Sequence, residues 1–270
     1  MQEAISNSAS DNARSRIRQS VSRWTFGSTP MPELCAKLKE IGIVGVDLAN
    51  DRADWPILKE HGLAATMVPG AGTIENGLNN AARRGELLAE FRGNIAAAAE
   101  FGWKRVITFA GGRENIGDAE GMAVCAATLK EAVKIADDFD VEICVELLNS
   151  KVDHPGYMAD STAWGAELCK RVESPRVKLL YDIYHMQIME GDIIRTIRGN
   201  IDFIGHFHTA GNPGRKDLDE EQELYYPPII RAIAQLQAEG KFDGYVAHEF
   251  VPKNGFDSLR KAFELCAARV

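Results

Sequence analysis

The 270-residue chain lacks most of the features that would classify it at a glance. It has no CxxC pair and no zinc-finger spacing. Its five cysteines, Cys35, Cys125, Cys144, Cys169 and Cys266, are odd in number and scattered. That argues against a disulfide framework and reads as free thiols filling a core in a reducing compartment. No apolar run approaches the length of a bilayer span, which argues against a membrane partner. The opening MQEAISNSASDNAR has no apolar h-region and does not read as a secretory signal. A cytoplasmic protein is the expectation. Positive charge is in deficit, 31 Lys and Arg against 39 Asp and Glu, for a net charge of -8. Nucleic-acid binders gather basic residues on one face, so none is expected as a partner. The only double glycine after a strand, Gly111-Gly112, does not fit GxGxxG, which counts against a dinucleotide fold. No fixed-period repeat and no low-complexity segment occurs.

What is present is a large apolar fraction, 45%, arranged as short β-branched runs alternating with helical stripes. The runs are Ile17–Val21, Val44–Leu48, Leu63–Val68, Arg105–Phe109, the stretch from Val141 to Glu146, Val177–Asp182, Ile201–His208 and Gly244–Glu249. Helical spacing follows each, for example Pro30–Glu40, Arg84–Phe101, Asp118–Phe139 and Thr162–Val172. Eight βα units in a chain of this size predict an α/β fold of the closed (β/α)8 TIM-barrel type, as a single domain. The expected layout is a polar N-terminal tail over residues 1–16 and the barrel over 17–270. A homo-oligomer is compatible with this sequence but not specified by it.

In such a barrel, reactive side chains stand at the C-terminal ends of the strands. Glu146 ends the fifth run, Asp182 the sixth, His208 the seventh and Glu249 the eighth. A buried strand has no structural need for a terminal carboxylate, and three carboxylates left together would repel one another. A divalent metal ion resolves that, and the mixed oxygen and nitrogen set suits Mn, Mg, Co or Zn. Each residue also has a plainer reading, as a helix cap, a turn residue or a surface ion-pair partner. Asp182 in YDIYH, for example, is a natural N-cap. His206 lies two residues before His208 and shares its facing, so it is expected one layer deeper. His248 has the opposite facing to Glu249 and reads as structural.

Three residues nearby are candidates for substrate contact. His185 follows Asp182 by three residues. Arg215 lies in GNPGRKD on the long loop after the seventh strand, and Lys151 lies just beyond Glu146. Each reads equally as a solvated loop residue. Trp24, at the tip of the first strand, is either a pocket wall or packing.

The segments VELLNSKVDHPGYMAD, LLYDIYHMQIMEGD, GHFHTAGNPGR and YVAHEF resemble the xylose isomerase-like barrel superfamily, and within it the hydroxypyruvate isomerase family. The resemblance covers about Ile17 to Ala268. It implies that Glu146 and Glu249 both bind the metal and act as acid and base, and that Asp182 and His208 complete the metal site. It also places His185 and Arg215 against substrate. One departure concerns His208, because hydroxypyruvate isomerases commonly carry Gln there while ketose 3-epimerases carry His. Conversely, the glutamate that the epimerases have after the strand-five asparagine is missing, and Val152 and Asp153 lie there instead.

The expected activity is metal-dependent isomerisation of a small hydroxy-keto acid to its aldehyde isomer, hydroxypyruvate to tartronate semialdehyde in type. A proton would pass through an enediolate between the two glutamates, and Arg215 or Lys151 would hold the carboxylate. A ketose 3-epimerase or a keto-inositol isomerase or dehydratase would use the same groups. An abasic-site endonuclease is disfavoured, because the first four strands offer no histidine cluster, and a non-catalytic binding barrel is disfavoured because all four ligands are present.

Overall fold

A computed structural model describes residues 17–113 and 116–267. The expected tail, 1–16, lies outside the described residues, as do 268–270. The first half runs β1 (Gln19–Ser22), α1 (Met31–Ile41), β2 (Gly45–Asp47), α2 (Asp54–Glu60), β3 (Ala64–Ala65), β4 (Val68–Ala71), α3 (Arg84–Phe101), β5 (Arg105–Thr108) and α4 (Asp118–Phe139). The second half runs β6 (Glu142–Leu147), α5 (Thr162–Val172), β7 (Val177–Asp182), α6 (Ile183–Met189), α7 (Ile193–Asn200), β8 (Ile204–Thr209), α8 (Tyr226–Ala238), β9 (Val246–His248) and α9 (Phe256–Leu265).

Every strand pair is parallel, in the order β3-β2-β1-β9-β8-β7-β6-β5-β4. The two end strands of that order, β3 and β4, are consecutive in the chain. Nine strands therefore fill eight barrel positions, and the ring closes through the break at Thr66-Met67. This is the expected single-domain TIM barrel.

The boundaries differ from the sequence reading in three places. The third run, Leu63–Val68, is two short strands. Pro69 in the second has no N–H for the ladder, and a Cβ on Gly70 would lie 2.3 Å from the carbonyl oxygen of Ile107. The seventh run starts late, because Ile201–Phe203 is a turn of 3-10 helix and β8 begins at Ile204. The eighth run stops early, so Glu249 stands one residue beyond β9.

Helix ends follow local chemistry. Pro32 occupies the first turn of α1 and Gly42 closes it with φ 103°. The Phe263 ring of α9 packs where a Gly42 Cβ would stand, 2.9 Å away, so both the turn and the packing require glycine. Ser161 caps α5 by accepting from the Trp164 N–H. The main core, with Leu34, Leu38, Phe91, Leu129, Leu168 and Ile233, joins strands to helices. A smaller cluster of Met67, Ile107, Cys144 and Leu180 lies beneath the acidic strand ends. All five cysteines are free and buried. Among the described residues, no helix is long and apolar enough to cross a membrane.

Candidate metal and substrate site

Glu146 at the end of β6, Asp182 at the end of β7, His208 in β8 and Glu249 after β9 are all buried, and the fold brings them together. Each offers one donor atom, and these atoms lie within 4.8 Å of one another. His208 Nδ1 is 3.5 Å from Glu146 Oε1, 3.8 Å from Asp182 Oδ2 and 2.5 Å from Glu249 Oε2. The barrel register does this, since Glu146 pairs with Leu180, and Asp182 pairs with His208. The group could hold a metal ion. Three carboxylates buried side by side repel one another when all are ionised, and hard oxygen donors with an imidazole fit a divalent cation.

The capping reading of Asp182 also holds, through its other oxygen. Oδ1 accepts from the N–H groups of Tyr184 (2.9 Å) and His185 (3.2 Å) at the start of α6. Oδ2 faces the cluster, where it accepts from Arg215. One carboxylate thus both starts a helix and lines the site.

Arg215 enters from the loop between β8 and α8. Its Nη2 donates to Asp182 Oδ2 at 2.9 Å and to Glu249 Oε2, and its Nε donates to the Glu249 carbonyl at 3.1 Å. Its Nη1 lies 2.6 Å from His185 Nε2. The Asn149 N–H points at His185 Nδ1 from 3.2 Å, and burial pushes the ring's pKa down to about 4, so the imidazole is neutral. A neutral ring accepts at one nitrogen only, so it answers either the Asn149 N–H or the guanidinium.

The two glutamates differ in charge state. Burial pushes Glu146 up to about 7, opposed by His208. Glu249 is buried too, but Arg215 and His208 hold it well below the usual carboxylate range. Glu249 is the ionised member and Glu146 the one that retains a proton near neutrality.

The mouth has two lobes meeting at Trp24, Ile74, Glu146 and Glu249. One, about 460 Å³, runs over Leu48, Gly70, Ile107 and Phe109 to Asn50, Glu90 and Asn94. The other, about 380 Å³, holds Asp153, His154, Tyr184, His185 and Arg215. Trp24 walls both and donates its indole N–H to Glu249 Oε1 at 2.7 Å.

His185 and Arg215 are thus brought to the site. Lys151 is not. Its amine donates to the carbonyls of Ile188 (3.1 Å) and Met189 (2.9 Å), capping the C-terminal end of α6. A lysine four residues beyond a strand can reach either way, and the negative end of that helix lies nearer. His248 turns away from Glu249, 2.9 Å from Thr209 Oγ1 and 2.8 Å from Gln19 Oε1. The HPGY turn contributes Tyr157, whose hydroxyl donates to the Glu146 carbonyl and accepts from the Ala110 N–H, each at 2.9 Å.

Sequence reasoning missed Asp47. This aspartate at the end of β2 is fully buried, 2.8 Å from the Nε2 atoms of both His206 and His208. A signal was available in VGVDL, where an acid ends an apolar strand just as Glu146 does. It also missed Asn149 and Tyr184, which both donate to Asp153 Oδ2, at 2.7 and 2.8 Å.

Comparison with known proteins agrees with this fold. The chain is similar to the 2-oxo-tetronate isomerase of Cupriavidus necator, 33% identical over 175 residues. That match takes in 62% of this chain and 64% of the relative, so the chain spans under two thirds of that relative's length. It is also similar to the putative hydroxypyruvate isomerase of Homo sapiens, 28% identical over 236 residues, 85% of this chain and 78% of that one. Among solved structures, a family 2 AP endonuclease from Brucella melitensis superposes with a TM-score of 0.81 over 93% of this chain and 100% of its own. At 24% identity that likeness is one of fold alone. The family model described as a xylose isomerase-like TIM barrel matches residues 35–267. The chain belongs to the xylose isomerase-like TIM barrel family.

Proposed function

We propose that this protein is a metal-dependent isomerase of small hydroxy-keto acids, interconverting a 2-keto-3-hydroxy acid with its 2-hydroxy-3-oxo isomer, an aldehyde in the three-carbon case of hydroxypyruvate, by proton transfer between Glu146 and Glu249. The observation that carries the reading is the convergence of four buried donor atoms, from Glu146, Asp182, His208 and Glu249, at the mouth of the barrel. The relatives' names, hydroxypyruvate isomerase and 2-oxo-tetronate isomerase, supply the substrate class. Mn, Mg, Co or Zn is the proposed ion, held by those four residues. When bound, such an ion supplies Lewis acidity toward adjacent substrate oxygens, a contribution of several kcal/mol toward enediolate formation.

The protein's own groups handle the proton. Glu249, ionised under the influence of Arg215 and His208, is the base that removes the proton next to the carbonyl. Glu146, facing it across the cluster, is the partner that delivers a proton to the neighbouring carbon. Arg215 and the neutral His185 hold the substrate carboxylate in the lobe they line. Trp24 covers the junction and limits the access of water.

The test is solvent-deuterium exchange with hydroxypyruvate and 2-oxo-tetronate, with product identified by NMR. The wild type with Mn should exchange and isomerise. Glu249→Gln should lose about 10²–10⁴ in exchange rate, the worth of a positioned base. Wild-type exchange in that variant would refute the assignment. The same groups can return the proton to its own carbon from the other face, and His208, the residue found in ketose 3-epimerases at this place, favours testing that outcome. Ketohexoses belong in the same NMR panel, and an epimer as the sole product would replace the isomerase reading.

A further inference from the structure

We infer that Asp47 is a positioning residue that fixes the tautomer and ring angle of His208, so that Nδ1 is the atom offered to the cation. The inference rests on the metal reading of the preceding section, but concerns a residue that reading does not use.

The geometry leaves the Asp47 carboxylate no freedom. Its Oδ1 accepts the Thr66 hydroxyl at 2.8 Å and lies 2.8 Å from His206 Nε2. Its Oδ2 lies 2.8 Å from His208 Nε2 and 3.5 Å from the Ser22 hydroxyl. Thr66 in turn donates to Ser20 Oγ as an alternative at 3.0 Å, which ties β1, β2 and the β3–β4 break into one polar layer. With every oxygen engaged and the residue wholly buried, Oδ2 can only accept from His208. With Nε2–H held by Asp47, the neutral ring that a cation requires carries its lone pair on Nδ1. That atom is the one facing Glu146, Asp182 and Glu249. A carboxylate behind a ligating histidine also raises its basicity toward the ion.

Asp47, His206 and His208 also meet the distance requirement for a second metal-binding trio. One carboxylate between two imidazoles leaves no excess negative charge for a cation to answer, and Asp47 Oδ2 is already in direct hydrogen bond with His208 Nε2 at 2.8 Å. The trio is a support beneath one site.

The experiment has two arms. Calorimetric titration of the metal-free protein with MnCl2 should give one ion per chain for the wild type, and a Kd weaker by about 10–100-fold for Asp47→Asn. Equal affinities, or two ions per wild-type chain, would overturn the inference. The second arm needs no variant, and so stands even if Asp47→Asn fails to fold. With ¹¹³Cd bound to ¹⁵N-histidine-labelled wild type, the coupling should appear at His208 Nδ1, with a slowly exchanging proton on Nε2. Coupling at Nε2, or an exposed Nε2 proton, would overturn it. If neither Mn nor Cd binds the wild type, the metal reading itself fails, and the two failures remain distinct.

Discussion

Trp24 reaches across the barrel mouth to donate its indole N–H to Glu249 Oε1 at 2.7 Å, linking the turn after the first strand to the end of the last. The two residues are neighbours because β1 pairs with β9, with Val21 opposite His248. Trp24 is 46% exposed, so its burial does not explain its position. The bond helps keep Glu249 ionised and fixes one oxygen, which leaves the other for the cluster.

Trp24→Phe keeps the wall and deletes the donor. A hydrogen bond to a charged group is worth about 1.5–3 kcal/mol, and partial exposure puts this one at the lower end. The expected result is a loss of about tenfold in kcat/KM, with little change in thermal stability. Steady-state kinetics on the preferred hydroxy-keto acid would check it. An unchanged kcat/KM would mean that Glu249 is positioned without Trp24.

Arg215 shares Asp182 Oδ2 and Glu249 Oε2 with any cation at the cluster centre. Like charges at that range oppose each other, so removing the guanidinium should strengthen metal binding even as it weakens substrate binding. For Arg215→Gln we expect several-fold tighter Mn in calorimetry, a raised KM, and a lower melting temperature of the EDTA-treated protein. That last effect arises because two buried carboxylates lose their counter-charge. Weaker Mn binding would show that Arg215 and the ion cooperate instead.

The lobe over Ile107 and Phe109 bears on substrate length. A three-carbon acid with its carboxylate at Arg215 has nothing to place there. A four-carbon substrate puts its terminal hydroxymethyl group in it, and the lining has no Lys or Arg to receive a phosphate. The expected order of kcat/KM is four-carbon over three-carbon, with terminally phosphorylated analogues poorest. Ile107→Phe should shrink the lobe and cut the four-carbon to three-carbon ratio about tenfold, the worth of a methylene-sized clash. A ratio that Ile107→Phe leaves untouched would remove this lobe from specificity.

Much of this molecule is legible in the sequence, because strands buried on both faces and helices buried on one leave different periodicities. Glu146, Asp182, His208 and Glu249 stand out because each ends an apolar run with a group that burial penalises. Asp47 obeys the same rule but was hidden by the brevity of its three-residue strand. The limits of β3, β8 and β9 were not readable, since they depend on ladder register, on its shift between Pro69 and Ala71, and on the 3-10 turn that starts at Ile201. Lys151 shows the remaining gap, because whether a flexible amine turns to a site or to a helix end depends on distances that only the fold sets.

His248 yields a prediction about pH. Burial alone pushes its pKa down to about 3, from about 6.5 in an unfolded chain. Its neutral ring sits between Thr209 Oγ1 and Gln19 Oε1. The folded value lies below the unfolded one, so the fold favours the neutral form. The associated stability is complete above about pH 6.5 and is lost as pH falls toward 3, at about 1.4 kcal/mol per pH unit. His185, pushed down to about 4, acts in the same direction, so wild-type acid sensitivity does not isolate either group. The difference between wild type and His248→Gln does, because glutamine can still hydrogen-bond but cannot titrate. Urea unfolding of the two proteins between pH 6 and pH 4 should give slopes of stability against pH that differ by about one proton, the variant being the shallower. Parallel slopes would mean that His248 titrates normally, through an opening of the β1–β9 seam that this packing does not suggest.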